Sequence, residues 1–242
     1  MILKKKKELI LKIVLLIAII YILSSSSLHY KIGNVFFGQV SSLYNVNLAN
    51  LFFRASIHPI IGNPPLFAHY QLSRTYFIKG DLDQALAEAQ KELEVYPENI
   101  RTYYILGLTL GYMNREHEAI DAFSKFIEAN PETWAARNDK AWLQFRIGDM
   151  DGALATMKPI SYMKNNPWVQ NTYGTILMNK KDYKGAMEAF NQALNETSMM
   201  TTADWGEAYP GNDPRIYAPG LNAMKLSIEE NIKLLNTKLD PQ

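Results

Sequence analysis

One pattern is written four times between Leu66 and Met200. Small residues stand at Ser73, Gly107, Ala141 and Gly174, and alanines at Ala85, Ala119, Ala153 and Ala186. Each series advances in steps of 34, 34 and 33 residues. A period of this length means one supersecondary unit repeated along the chain, each burying its apolar flank only against a neighbour. Every unit reads as two amphipathic helices around a short turn. In the first, Leu72 and Tyr76 anchor one helix and Gly80 ends it. Asp81 then caps a second helix that runs through Leu82, Ala85, Leu86, Ala89 and Leu93 to Pro97. Gly80, Asn114, Gly148 and Lys181 occupy the left-handed place that closes the first helix, with glycine the easiest fit and lysine the hardest. Asp81, Asp149 and Asp182 follow at the N-cap place.

Tyr103, Leu106, Gly107, Ala119, Phe123 and Pro131, with Gly174, Ala186, Phe190 and Ala193, resemble the tetratricopeptide repeat. The resemblance covers residues 66 to 200 as units 66–99, 100–133, 134–166 and 167–200. It implies an all-α helical-hairpin solenoid whose concave face, lined by the first helices, holds a peptide or a partner's helix. Carried over place by place, the candidate groove residues are Tyr70, Arg74, Tyr104, Leu108, Tyr112, Asn138, Trp142, Arg146, Asn171, Thr175 and Asn179. Amides there suit a peptide main chain, aromatic rings supply contact area, and Arg can fork onto a carboxylate. The alternative is that Trp142 and the tyrosines only fill space between helices. The subclass that clamps a chaperone's terminal carboxylates needs Lys and Asn where this chain has Tyr70 and Arg74. The third unit also departs from the pattern, with Lys140 and Gln144 at apolar places and Pro159 inside the second helix, which should kink or shorten.

The flanks differ from the repeats. Lys4 to Lys7 precede an apolar run, Leu9 to Leu23, broken only by Lys12. Fifteen helical residues rise about 22 Å, short of a hydrocarbon core of roughly 30 Å, but extension through Ser24–Ser27 to Leu28 reaches spanning length. The expectation is a single transmembrane helix within residues 1–28, lysines cytoplasmic and repeats on the outer side. The alternative is a cleaved leader and a secreted protein. Residues 29–65 read as a degenerate first hairpin. Tyr30, Ile32, Val35, Phe36 and Phe37 form one cluster, Leu48, Leu51, Phe52 and Ile57 another, with Gly33, Gly38 and Ser41–Ser42 as breaks. Residues 201–216 read as a loop from which Trp205 and Tyr209 pack back. Residues 217–242 form a capping helix with a Leu221, Met224, Ile228, Ile232 and Leu235 stripe.

Composition narrows the function. Outside the leader the chain holds 20 basic and 23 acidic side chains, so it lacks the basic excess that nucleic acid requires. There is no cysteine. The four histidines, His29, His58, His69 and His117, lack metal-ligand spacing, and no phosphate loop or nucleophile motif is present. No catalytic residue, metal or cofactor is therefore expected. The reading is a non-enzymatic, membrane-anchored scaffold for an unidentified protein or peptide, in cell-envelope assembly, secretion or export. The alternatives are an exported module that self-assembles through its repeat ends, and an accessory subunit of an envelope enzyme.

Overall fold

The computed structural model describes residues 2–38, 42–58, 64–208 and 217–239. The chain forms two compact units, Met1–Pro97 and Glu98–Gln242. Every regular element among the described residues is helical.

The first unit contains α1 (Ile2–Ser24), α2 (Ser26–Phe37), α3 (Val46–Ile57), α4 (Ala68–Lys79) and α5 (Leu82–Val95). The leader helix does not continue to Leu28. Ser25 leaves helical geometry at φ −81°, ψ 99°, and its side chain accepts a bond from the Leu28 amide, starting α2. A serine run invites this, because hydroxyl-to-backbone bonds compete with the helix. Among the described residues no single helix is long and apolar enough to cross a membrane. On length and composition, Lys6–Tyr21 and Ser26–Phe37 pass only as a pair bent by 66°.

Gly33 is not a break. It is buried within α2, where a Cβ would lie 2.6 Å from the Phe53 ring of α3. Ala49 beside it is fully buried, and Phe53 also meets Tyr30 and Phe37 at 5.8 and 5.9 Å between ring centroids. The inner stripe of α3 is thus Val46, Ala49 and Phe53, whereas Leu48 and Leu51 of the expected apolar cluster are 37% and 57% exposed. The next helix joins by Asn50 Nδ2 donating to Thr75 Oγ1 at 2.8 Å and by Leu72 entering the same core. Ser73 brings α4 onto α5 by donating its hydroxyl to the Ala85 carbonyl at 2.7 Å.

The start of α4 is held by buried charge. Phe67 precedes the helix at φ 70° with no side-chain cap. The fully buried Glu92 carboxylate substitutes for one, accepting from the Phe67 and Tyr70 amides at 2.8 and 3.1 Å. These amides have no partner within the helix, and an anion at the positive end of its dipole is favourable. Alongside, buried Glu88 pairs with His69 Nδ1 at 2.6 Å and with Lys91 Nζ at 2.9 Å. Burial pushes the Glu88 carboxyl up, but the bonds from His69 and Lys91 and their charges prevail, leaving it below the usual value.

The second unit holds α6 (Ile100–Tyr112), α7 (Glu116–Ala129), α8 (Trp134–Arg146), α9 (Met150–Met157), α10 (Pro167–Asn179), α11 (Tyr183–Met199), α12 (Thr202–Glu207) and α13 (Tyr217–Leu239). Its hairpins repeat one interior. A Cβ on Gly107 would come within 2.9 Å of Phe123, and one on Gly174 within 2.8 Å of Phe190. Ala119, Ala153 and Ala186 are fully buried. The turns also repeat, here and in α4–α5. Gly80, Asn114, Gly148 and Lys181 have φ of 78°, 57°, 82° and 65°. The residue after each sends its amide back to Tyr76, Leu110, Gln144 or Leu177, closing the helix end. Asp81, Asp149 and Asp182 then accept from Gln84, Gly152 and Gly185.

The α8–α9 hairpin is the irregular one. α9 stops at Met157, and Lys158–Ile160 tightens into a 3-10 turn around Pro159. Ile160 is buried there. Gln144 tolerates its buried place because Thr156 Oγ1 donates to its Oε1 at 2.7 Å while its Nε2 donates to the Asp149 carboxylate at 3.3 Å. Lys140 is half-buried; burial first, then Arg137, depresses its ammonium against Asp121, Glu128 and Asp149. Leu221, Ile228 and Leu235 of α13 are buried, the last two joining the Ala186 and Phe190 core. Trp205 of α12 lies 6.3 Å from Trp168 and fills the place a side chain at Gly220 would need. The expected loop 201–216 is helical over Thr202–Glu207, where Thr201 and Asp204 form a capping box, and Tyr209 and the rest to 216 lie outside the described residues.

Candidate peptide-binding face

Nine of the eleven candidate groove residues lie in the second unit, and Tyr70 and Arg74 in the first. On α6, Tyr104, Leu108 and Tyr112 follow at four-residue spacing and share a face. Tyr112 is 70% exposed and Leu108 half-buried. Tyr104 is engaged within the protein: its ring meets Phe123 and Phe126 at 5.7 and 5.3 Å, and its hydroxyl donates to Asp139 of α8 at 3.0 Å.

On α8, Asn138, Trp142 and Arg146 have the same spacing. Asn138 is buried. Trp142 is 44% exposed and stacks on Phe145 at 5.3 Å with planes 22° apart, so its indole is braced yet open to solvent. Arg146 donates to Asn114 Oδ1 at 2.9 Å and to Glu116 Oε1 at 2.8 Å. Its guanidinium is therefore committed to a turn of the same unit. The long separation in sequence, from Glu116 to Arg146, explains why nothing in the local pattern announces the pair.

On α10 the polar side chains are also engaged. Asn171 Oδ1 accepts from Asn231 of α13 at 3.2 Å. Thr175 donates to the Asn171 carbonyl and Asn179 to the Thr175 carbonyl, each at 2.9 Å. In the first unit, Arg74 lies over the Phe37 and Tyr70 rings at 4.7 and 5.6 Å and donates to Gln71 at 2.8 Å. The accessible aromatic area of the candidate set thus concentrates at Tyr112 and Trp142. Contact of such rings with a guest is the commonest source of interface energy. Among the described residues no group of three or more His, Asp or Glu side chains could hold a metal ion.

Tetratricopeptide-repeat family models match residues 104–158 and, separately, residues 68–99 and 169–196. The BBSome complex member BBS4 of Bos taurus is 25% identical over 142 residues, 58% of this chain. The chain spans 27% of that relative's length. Among solved structures, YrrB, described as a TPR protein with an unusual peptide-binding site, has a TM-score of 0.60 at 18% identity, covering 73% of this chain and 88% of its own. MamA of MSR-1 has a TM-score of 0.57 at 18% identity, covering 74% of this chain and 96% of its own. These likenesses agree with the helix pairs and their small-residue contacts. The chain carries tetratricopeptide repeats in an all-α fold of the tetratricopeptide solenoid type.

Proposed function

We propose that the protein is a non-enzymatic scaffold that holds a peptide or helix of a partner protein on the α6 and α8 face and is tethered to a membrane by α1. The observation that carries the first part is the accessibility of Tyr112 and Trp142, 70% and 44% exposed, on the first helices of successive hairpins. An unusual peptide-binding site is described for YrrB, and BBS4 is a member of a protein complex, which supports a binding role. The tether rests on α1, whose described side chains from Lys6 to Tyr21 are exposed, Leu9 to Leu16 at 48–60% among the large apolar ones. Such a helix gains by leaving water. With Lys4 to Lys7 cytoplasmic, the repeats face outward, where envelope assembly, secretion or export would use them.

A photo-crosslinking residue at Tyr112 or Trp142, compared with one at exposed Glu128, tests the face in cells. Adducts to one protein from the first two positions and none from the third are expected. Equal labelling at all three, or none, rejects the face. Retention of an intact leader in carbonate-washed membranes is expected for the tether; a shortened, soluble protein supports secretion instead.

A further inference from the structure

We infer that the outer flank of the first hairpin, α2–α3, seats on an anionic lipid bilayer, which covers this hairpin as a neighbouring helix would. The inference rests on the membrane tether proposed above. Helical periodicity places Leu48, Leu51 and Ala55 along one strip of α3, opposite the Val46, Ala49 and Phe53 core strip, with Phe52 at its edge stacking on Phe36 of α2 at 5.7 Å. Leu48 and Leu51 are exposed, and Phe52 and Ala55 half-buried. α4 does not cover this strip, because it docks through Asn50 and Leu72 on the other side of α3.

Two independent features say what does cover it. The first is continuity with α1. The Ser26 hydroxyl donates to the Ser56 carbonyl, so the point where α1 hands over to α2 lies beside the C-terminal end of the strip. A bilayer that takes up α1 therefore begins where the strip ends. The second is charge. No Asp or Glu occurs between Leu9 and Gly80, whereas Lys12, Lys31, Arg54, Arg74 and Lys79 do. Residues 1–80 carry nine basic side chains against Glu8 alone. On the hairpin itself Lys31 and Arg54 are exposed, and Arg54 lies one turn from Leu51 at the edge of the strip. Two copies facing each other would bring these cations together with no acid on either hairpin to neutralise them. Anionic headgroups supply the missing charge, and an apolar strip edged by cations is the arrangement that binds at a lipid interface.

The chain has no cysteine, so a nitroxide can be placed at one engineered site in the full-length protein. Leu51→Cys and Leu48→Cys report the strip, and Gln90→Cys at an exposed position of α5 reports water. Each labelled protein is mixed with vesicles of phosphatidylcholine, alone or with phosphatidylglycerol, and recovered by flotation. Spin-label accessibility to oxygen and to a nickel chelate is then measured. On phosphatidylglycerol vesicles the labels at 48 and 51 should lose collisions with nickel and gain them with oxygen, while 90 stays aqueous. Lys31→Gln with Arg54→Gln should shrink that change without abolishing flotation. A protein that floats with 51 as aqueous as 90 overturns the inference and leaves the tether standing. Labels shielded from both reagents would indicate a protein contact and also overturn it. An equal response on phosphatidylcholine alone removes the anionic requirement. Failure to float defeats the tether, and the seat with it.

Discussion

The first and last hairpins share an interior and differ in what lies outside it. In both, a glycine of one helix receives a phenylalanine ring of the other beside a fully buried alanine: Gly33, Phe53 and Ala49 in one, Gly174, Phe190 and Ala186 in the other. Outside, the last hairpin is covered by α13, which buries Ile228 and Leu235 completely. The first presents Leu48 and Leu51 to solvent. A repeat of this kind is specified by its interior, whereas its flank records its neighbour. Where the neighbour is another helix of the chain, the flank closes. Where it is not, the apolar strip remains as the trace of something else.

This difference can be broken by substitution. Ile228→Ala or Leu235→Ala should destabilise the second unit by about 2–5 kcal/mol each, as loss of fully buried aliphatic volume does. Chemical denaturation would show it, and an unchanged midpoint would mean that α13 does not stabilise the hairpin beneath it. Gly33→Ala and Gly174→Ala should each cost about 1–3 kcal/mol, because the new methyl meets a phenylalanine ring and overpacking exceeds the gain in helix propensity. Equal penalties sharpen the equivalence of the two interiors; a penalty at Gly174 alone would dissolve it.

The charged start of α4 yields a smaller, pH-dependent term. The folded-state carboxyl of Glu88 titrates below its unfolded value, so its stabilisation is complete above the ordinary glutamate range, about pH 4.3, and fades as pH falls through the folded value. The first unit should lose stability on acidification, and Glu88→Gln should remove that part of the slope. Smallest of all, Leu51→Ser in detergent-solubilised protein should change stability by no more than about 0.5 kcal/mol, as exposed substitutions do. A drop comparable with Leu235→Ala would place a protein neighbour on that strip.

Period and turn chemistry made the second unit legible: the alanine series is fully buried, and even Asn114 and Lys181 adopt the left-handed turn that their register required. Gly33 reads as a breaker because a helical glycine and a terminating glycine look alike until the facing ring is known. Of the expected α3 cluster, Phe52 stacks on Phe36 and Ile57 packs on the core, whereas Leu48 and Leu51 face outward. That helix is apolar on two sides, and periodicity alone does not say which one meets Gly33. In the candidate groove, spacing located the face but not its engagements. Asn171 meets Asn231 and Arg146 meets Glu116 through tertiary contacts that no local pattern encodes.

Amide hydrogen exchange of the intact chain on vesicles tests the shared interior most directly. The account predicts that the amides of Ala49 to Phe53 in α3 exchange slowly, as those of Ala186 to Phe190 in α11 do. Exchange across Ala49 to Phe53 as fast as at exposed Leu66 in the turn before α4 would contradict it.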